Sequence, residues 1–204
     1  MRVVLATNNA KKLAELRRIL TPLVPTIEVL GLADVPTYDE PAETEPTFEG
    51  NALIKARACL AATGLPSLAD DSGLCVDALN GMPGVLSARW SGVAKDAGGD
   101  AANNALLLNQ LSEVPEHRRT AQFRCAVAFC TPDGIEVGEV GEMAGRVLSS
   151  EQGAGGFGYD PLFAADGYDI STAELAPKEK DRISHRGKAL TAIAPTVVDA
   201  LAKL

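Results

Sequence analysis

The clearest pattern along the chain is an alternation of apolar and polar positions from Ala121 to Thr131. The turn Pro132-Asp133-Gly134 follows and leads into Ile135-Glu136-Val137. A period of two predicts a strand with one buried face, and the turn between the two runs predicts an antiparallel hairpin. Two shorter apolar runs, at 2–6 and 27–30, predict buried strands.

Apolar residues recur at helical spacing in four segments. These segments are the stretch after the polar residues 7–12, residues 48–62, residues 101–111 and the C-terminal stretch after 187. We expect the first helix to end before Pro22 and the last to kink or restart at Pro195, because proline lacks the backbone N–H of a helix interior. Strand–helix units together with a hairpin predict a mixed α/β fold.

A short apolar run, Ser67–Ala69, leads into two adjacent carboxylates, Asp70 and Asp71, and then into Ser72-Gly73. We predict a strand that ends at this turn. Strand side chains alternate between faces, so both carboxylates enter one cavity only if the strand has already ended. Two carboxylates beside an apolar sheet require a cationic partner. The alternative is a local turn capped by aspartate.

Three other features carry candidate chemistry. Lys11 and Lys12 lie where a helix begins, with Asn8 or Asn9 as its N-cap, and free N–H groups there would form an anion site; the alternative is a solvated first turn. Lys55 lies near the buried stripe of its helix, where it either snorkels, which the pattern slightly favours, or reaches into a site. The acidic, proline-rich loop 33–46 is either solvated surface or the source of one carboxylate for a metal.

A second group of candidates lies in the last quarter of the chain. Four glycines surround Phe157 and Tyr159 within residues 153–161, so this loop can pass close to a flat ligand while one ring faces it. The alternative is a tight loop with both rings buried. His185, beside Arg186 at a helix start, is able to donate a hydrogen bond to a ligand carbonyl.

The composition and net charge exclude some classes of binding partner. The chain has 204 residues, 46% of them hydrophobic, and a net charge of −8, which argues against nucleic acid or an anionic membrane as partner. The apolar run at residues 1–6 is too short for us to expect a signal peptide, and we expect no membrane span because no apolar run approaches about 20 residues. The four cysteines have no Cys-x-x-Cys spacing, so we interpret them as reduced core thiols of a cytosolic protein.

Taken together, the chain resembles the noncanonical purine nucleoside triphosphate pyrophosphatases, the inosine triphosphatase family, over essentially its whole length. Five segments in family order carry the resemblance: Leu5-Ala6-Thr7-Asn8-Asn9-Ala10-Lys11-Lys12, Thr47-Phe48-Glu49-Gly50-Asn51-Ala52, Ala69-Asp70-Asp71-Ser72-Gly73-Leu74, Gly155-Gly156-Phe157-Gly158-Tyr159-Asp160-Pro161 and Ser184-His185-Arg186-Gly187.

The resemblance implies a single domain, 1–204, with an elongated mixed β-sheet, flanking helices and two lobes around a central cleft. It implies a homodimer that uses Mg²⁺ and hydrolyses ITP, dITP and XTP to the monophosphate and pyrophosphate. Two alternatives are a Maf-type pyrophosphatase of modified pyrimidine triphosphates and a nucleotide-binding module without turnover.

The resemblance also assigns roles to residues. Asp71 matches the general base and a metal ligand, and Glu43 matches the second metal ligand, with Glu45 as an alternative. The residues implied to hold the phosphates are Thr7, Asn8, Asn9, Ala10, Lys11, Lys12, Lys55 and Ser72. Those implied to surround the base are Phe157, Gly158, Tyr159, Asp160, Lys180, His185 and Arg186.

The chain departs from the family at two positions. Bacterial members often have glycine at the positions of Asn8 and Lys11. Because asparagine tolerates left-handed backbone angles, we expect Asn8 to preserve the turn in that conformation. Lys11 adds a charge to the loop, and its role in binding phosphate stays open.

Overall fold

The computed structural model describes all 204 residues, apart from the side chain of Lys95. The strands are Arg2–Leu5 (β1), Glu28–Leu30 (β2), Ser67–Val76 (β3), Thr120–Cys130 (β4), Glu136–Val147 (β5) and Phe163–Ala165 (β6). The α-helices are Ala10–Leu23 (α1), Phe48–Thr63 (α2), Gly99–Gln110 (α3), Pro177–Ile183 (α4) and His185–Leu201 (α5). Short 3₁₀ helices cover Leu32–Asp34, Asp77–Leu79, Gly84–Arg89, Lys95–Ala97, Glu116–Arg118 and Asp160–Leu162.

The six strands form one mixed sheet in the order β2-β1-β3-β4-β5-β6. β1 is parallel to both β2 and β3, so α1 and α2 lie in crossover connections, whereas β5 and β6 are antiparallel. β4 and β5 are neighbours joined by residues 131–135, with Gly134 in the left-handed region at φ 93°. The mixed α/β fold and the hairpin are therefore confirmed.

Internal packing divides the chain into two compact units. Unit 1 comprises Met1–Asp71, Cys125–Gly141 and His185–Leu204, and unit 2 comprises Ser72–Arg124 and Glu142–Ser184. The core of unit 1 is aliphatic residues of β1, α1 and α5 together with alternate residues of β4. The core of unit 2 includes Phe123 and Phe163, whose rings pack edge to face at 4.8 Å. The central cleft stays a prediction.

Strand β3 is much longer than expected. It runs through Asp70, Asp71, Ser72 and Gly73 to Val76, so the predicted turn at Ser72-Gly73 is wrong. Aspartate, serine and glycine are depleted in strands, and the sequence therefore indicated a strand end. The strand continues because both carboxylates have cationic partners within the fold.

Strand β5 also extends well beyond the predicted residues 135–137. Gly141 and Gly145 interrupt its apolar pattern for a packing reason. A Cβ at Gly141 would lie 2.1 Å from the carbonyl oxygen of His185, and one at Gly145 would lie 2.1 Å from that of Ala164. Only glycine allows α5 and β6 to approach β5 so closely.

The helix caps lie where the sequence predicts them, whereas the prolines do not end the helices as expected. Asn9 and Thr47 cap α1 and α2, and Gly64 follows α2 with φ 67°. The expected stop before Pro22 is wrong, because α1 continues to Leu23 and the missing N–H falls in its last turn. α5 runs unbroken through Pro195.

Two further observations concern the whole chain. Among the described residues, no helix combines the length and apolar character needed to cross a bilayer. All four cysteines are free thiols; Cys59, Cys125 and Cys130 are buried and Cys75 is half-buried. The prediction of free core thiols is therefore confirmed for Cys59, Cys125 and Cys130, whereas Cys75 is free but not fully in the core.

Candidate active site

Asp71 lies in unit 1 as a buried carboxylate with two polar neighbours. The side-chain amide of Asn51 donates a hydrogen bond to Oδ2 at 3.1 Å, and the ammonium nitrogen of Lys55 lies 3.7 Å from Oδ1. Burial raises the pKa of Asp71 above its usual range, and the bond from Asn51 and the charge of Lys55 only partly offset this. A carboxylate with a raised pKa is a better proton acceptor than an exposed one.

Lys55 reaches into the interior of unit 1. Its Nζ donates to Oε1 of Glu43 at 2.7 Å, and its side chain is only 8% exposed. Burial lowers the pKa of Lys55, but the carboxylates of Asp70, Asp71 and Glu43 outweigh it and hold the pKa above its ordinary value. The snorkelling interpretation is therefore wrong.

Glu43 and Asp71 converge on the same ammonium group, which shows that this place accommodates a cation. Carboxylate oxygens are the hard donors that a divalent cation such as Mg²⁺ takes together with water, so these two residues fit such an ion. No group of three or more His, Cys, Asp or Glu side chains with metal-site geometry occurs in the described part of the chain. Glu45, the alternative ligand, packs its side chain against Gly50.

Asp70 contacts a different set of cations. Its Oδ2 lies 3.1 Å from Nζ of Lys12 and 3.3 Å from Nε of Arg186, whose Nη1 donates to Glu15 at 2.7 Å. Burial opposes ionisation of Asp70, but Lys12 and Arg186 overcome it and hold the pKa of this carboxyl far below its usual range. Asp70 therefore stays ionised within a buried network of ion pairs.

The loop before α1 is more tightly hydrogen-bonded than expected. Oδ1 of Asn9 accepts from the backbone N–H groups of Lys11 and Lys12, at 3.1 and 3.3 Å, and Oγ1 of Thr7 accepts from the N–H of Asn9. The expectation of free N–H groups is wrong for these three residues. The side chain of Lys12 is half-buried on Asp70, and that of Lys11 is exposed.

Asn8 does not take the left-handed conformation expected for it. Among the described residues, Asn80 is the one non-glycine position with positive φ. Asn8 instead donates from its side chain to Oε2 of Glu40 at 2.8 Å. This bond joins the loop 7–12 to the acidic loop that carries Glu43.

The glycine-aromatic loop of unit 2 is organised by Asp160. Its carboxylate accepts hydrogen bonds from the backbone N–H of Phe157 at 2.8 Å, from Nζ of Lys180 at 2.6 Å and from Thr172. Nζ of Lys180 also lies 5.4 Å from the centroid of the Phe157 ring, a cation–π distance. A Cβ at Gly156, where φ is 70°, would lie 2.1 Å from Asp160, so only glycine fits.

The two aromatic residues of this loop differ in burial. Tyr159 is 4% exposed and donates its hydroxyl to the carbonyl of Ser87, as a core residue does. Phe157 is half-buried, so its ring is the one with an accessible part. The N–H of Gly158 donates to Asp100 at 3.0 Å, and its carbonyl accepts from Asn104.

The other predicted site residues are His185, Arg186 and Ser72. His185 and Arg186 are buried in the first turn of α5 in unit 1, as the expected helix start requires. Ser72 is half-buried and directly follows Asp71 along β3. Unit 1 thus assembles the acidic pair with its lysines, and unit 2 assembles the loop around Phe157.

The sequence analysis missed four residues that hydrogen-bond to the predicted site residues: Glu15, Asn51, Asp100 and Asn104. Glu15 lies on a buried face of α1, an unusual position for a charge, and its burial is explained by the ion pair with Arg186. Asn51 follows the cap of α2 by four residues and is fully buried. Asp100 and Asn104, one turn apart on α3, carried no distinguishing pattern.

The buried Asp71 and the half-buried Glu43 share Lys55, and a second lysine, Lys12, lies at a nearby helix start. Carboxylates and lysines in this arrangement are typical of enzymes that hydrolyse phosphate anhydrides with a metal ion. The chain belongs to the Ham1 family, whose model matches residues 3–196. It is 58% identical to a dITP/XTP pyrophosphatase of Nocardia farcinica, over 96% of this chain and 94% of that protein. It is 53% identical to a protein of the same description from Cutibacterium acnes, with 97% and 96% coverage.

Solved structures support the same membership. A nucleoside-triphosphatase (dITP/XTP pyrophosphatase) of Mycobacterium abscessus matches with a TM-score of 0.76 at 53% identity, covering 96% of this chain and all of that one. The Ham1 protein of Staphylococcus aureus matches with a TM-score of 0.84 at 35% identity, covering 98% of this chain and all of that one. A mixed sheet with flanking helices is thus the fold of a Ham1 protein.

Proposed function

We propose that this chain hydrolyses noncanonical purine nucleoside triphosphates, dITP, XTP and ITP, to the nucleoside monophosphate and pyrophosphate. Identity of 58% over nearly the full length to a dITP/XTP pyrophosphatase supports this activity. The observation in the structure that carries it is the buried Asp71, hydrogen-bonded by Asn51 and paired with Lys55, which also holds Glu43. The reaction would remove noncanonical triphosphates from the nucleotide pool.

Asp71 acts as the general base in this proposal. It accepts a proton from a water molecule as the water oxygen attacks the α-phosphorus. The bond from that phosphorus to the oxygen bridging to the β-phosphorus breaks, and pyrophosphate leaves with the bonding electrons. The raised pKa of Asp71 supports the role, since the carboxylate takes up the proton more readily.

Glu43 and Asp71 would hold Mg²⁺. When bound, the ion supplies Lewis-acid stabilisation of the phosphate oxygens and orients them against the water. Lys55 stays cationic, because three carboxylates raise its pKa, and it neutralises charge on the triphosphate. Thr7, Asn8, Asn9, Ala10, Lys11, Lys12 and Ser72 complete the proposed phosphate contacts.

The base would stack on Phe157, whose ring is the more accessible one in its loop. Gly158, Tyr159, Asp160, Lys180, His185 and Arg186 complete the proposed base contacts. A keto oxygen at purine C6 accepts hydrogen bonds, whereas the amino group of adenine donates them. Donors such as His185 and Arg186 therefore favour hypoxanthine and xanthine over adenine.

The proposal also covers the oligomeric state, the cellular compartment and the class of partner. The family resemblance supports a homodimer, and the free thiols support a reducing compartment such as the cytoplasm. The net charge of −8 supports a small-molecule substrate over nucleic acid.

Hydrolysis in oxygen-18-labelled water tests the site of attack. Attack at the α-phosphorus places the label in the monophosphate, and mass spectrometry of both products reads its position. Label in pyrophosphate places the attack at the β-phosphorus, and release of labelled orthophosphate places it at the γ-phosphorus. Either of those results contradicts the proposed mechanism.

A further inference from the structure

Asn51 is a fully buried amide at the start of α2 with two different partners. Its Oδ1 accepts a hydrogen bond from the backbone N–H of Glu45 at 2.9 Å. Its Nδ2 donates to Oδ2 of Asp71 at 3.1 Å. One planar group therefore joins the acidic loop to strand β3.

The chemistry of these partners fixes the orientation of the amide. A backbone N–H only donates, so it must face the oxygen of Asn51, and an ionised carboxylate only accepts, so it must face the nitrogen. If the amide were flipped, the backbone N–H of Glu45 would face the NH₂ group of Asn51, and the carboxylate of Asp71 would face its carbonyl oxygen. Loss of either bond would leave a buried polar group unsatisfied, which is strongly unfavourable.

The attached loop carries Glu43, two residues before Glu45. The part of this loop at 35–46 has no regular secondary structure, so side-chain contacts must hold it in place. Lys55 lies one turn beyond Asn51 on α2 and contacts Glu43 and Asp71 as well. At Gly50 a Cβ would lie 2.6 Å from that of Glu45, so glycine permits the close approach of loop and helix.

We propose that Asn51 is a positioning residue that sets the separation and orientation of the Glu43 and Asp71 carboxylates for the reaction. This inference rests on the proposed function, in which those two groups act on the triphosphate. Asn51 donates to the Asp71 carboxylate and accepts from the backbone of the loop, so it acts through these two partners. Partners that orient catalytic and metal-binding carboxylates typically change activity or metal affinity by about 10- to 100-fold when replaced.

Two substitutions separate the two hydrogen bonds. Asn51→Asp keeps an acceptor for the N–H of Glu45 but replaces the donor to Asp71 with a like charge. Asn51→Leu has nearly the same shape and loses both bonds. We expect kcat for ITP to fall about 10- to 100-fold in both variants, with KM changed by less than about 3-fold.

Hydrogen exchange on the substrate-free protein gives a readout independent of turnover. We expect the Glu45 amide proton to keep its protection in Asn51→Asp and to exchange roughly 5- to 10-fold faster in Asn51→Leu, as for a lost hydrogen bond of ordinary strength. Binding of Mn²⁺ to the same samples, followed by electron paramagnetic resonance, should weaken by about 10-fold or more in Asn51→Leu.

Thr47→Ala is the matched control. Oγ1 of Thr47 caps the same helix by accepting from the N–H of Gly50, so its loss destabilises α2 without touching Asp71 or Glu45. We expect Thr47→Ala to lower Tm while kcat stays within about 2-fold of the parent. If Thr47→Ala lost as much kcat as an Asn51 variant of the same Tm, the loss would follow from destabilised structure alone. That result would overturn the proposal.

Two further outcomes decide the inference. Unchanged kcat in Asn51→Asp overturns it, because that variant has lost the donor to Asp71. Unchanged protection of Glu45 in Asn51→Leu also overturns it, whatever the activity. Failure of the proposed function is distinct: it shows as the parent protein releasing no pyrophosphate, whereas hydrogen exchange still reports whether Asn51 holds the loop.

Discussion

Asp70 and Asp71 are adjacent in β3, yet the cations that lie nearest to their carboxylates differ. Asp70 pairs with Lys12 and Arg186, and Asp71 lies beside Lys55. Alternation along a strand sends the two side chains to opposite faces, and the environments shift their pKa values in opposite directions. Divergent pKa values in a carboxylate pair are a general indication of separate roles, and they support the proposal that Asp70 is a structural anion and Asp71 a proton acceptor.

Asp71→Asn should remove turnover without unfolding the protein. Loss of a general base lowers kcat by about 10²- to 10⁴-fold, and KM for the triphosphate should change little. Because burial of the ionised carboxylate is unfavourable, the free energy of unfolding should stay the same or rise. Pyrophosphate release and urea denaturation measure the two effects, with the exposed substitution Asp199→Asn as the control. Parent-like kcat in Asp71→Asn would exclude it as the base.

Asp70→Asn should instead destabilise the fold. It leaves the buried guanidinium of Arg186 with one fewer counter-charge, and breaking such a buried pair lowers the free energy of unfolding by about 3–5 kcal/mol. Asp34→Asn, which breaks the exposed pair of Asp34 with Arg17, is the comparison and should have little effect. Equal stability of the two variants in urea would contradict the assignment of Asp70 as a structural anion.

The depressed pKa of Asp70 predicts a pH dependence of stability. Between its native pKa and its unfolded pKa of about 4, the unfolded state binds more protons than the native state, so stability rises with pH. The contribution of Asp70 is therefore complete above about pH 4 and is lost as pH falls below it. Urea midpoints of the metal-free protein from pH 3 to 7 should show a shallower acid loss in Asp70→Asn. A parallel loss in both proteins would count against the prediction.

Lys55→Ala should weaken binding of the triphosphate and also change the pH profile. Loss of charged hydrogen bonds raises KM by about 10- to 100-fold. Because Lys55 lowers the pKa of Asp71, its removal should move the acid limb of kcat/KM to higher pH. Steady-state kinetics across pH test both expectations, and Lys55→Arg should recover part of the binding. Parent-like KM would remove Lys55 from the phosphate site.

Phe157→Ala should mainly raise KM. Stacking of a base on an aromatic ring contributes about 1–3 kcal/mol, so we expect KM for ITP to rise by roughly 5- to 150-fold with a smaller change in kcat. Phe157→Trp keeps a flat ring and should restore binding. If alanine and tryptophan variants have equal KM values, the ring does not stack on the base.

Local signals were predictable from the sequence, whereas long-range pairing was not. Asn9 and Thr47 were recognisable as caps, because capping depends on residues only two or three positions apart. The partner of Glu15 is Arg186, 171 residues away, and no local pattern indicates it.

The candidate site shows the same limit. Its residue types and their order were enough to identify the family. The local pattern, however, predicted a strand end at Asp70 and Asp71 and favoured a snorkelling Lys55. Both errors have one cause: buried ion pairs keep charged residues inside β3 and α2, against their usual preference for the surface.

Product analysis with a panel of nucleotides tests the central claim most directly. The purified chain is incubated with Mg²⁺ and ITP, dITP, XTP, ATP, GTP or dTTP, and monophosphate, pyrophosphate and orthophosphate are quantified. The account predicts rapid release of monophosphate and pyrophosphate from ITP, dITP and XTP, with the other three turned over far more slowly. Release of orthophosphate alone, or comparable turnover of ATP or dTTP, would contradict it.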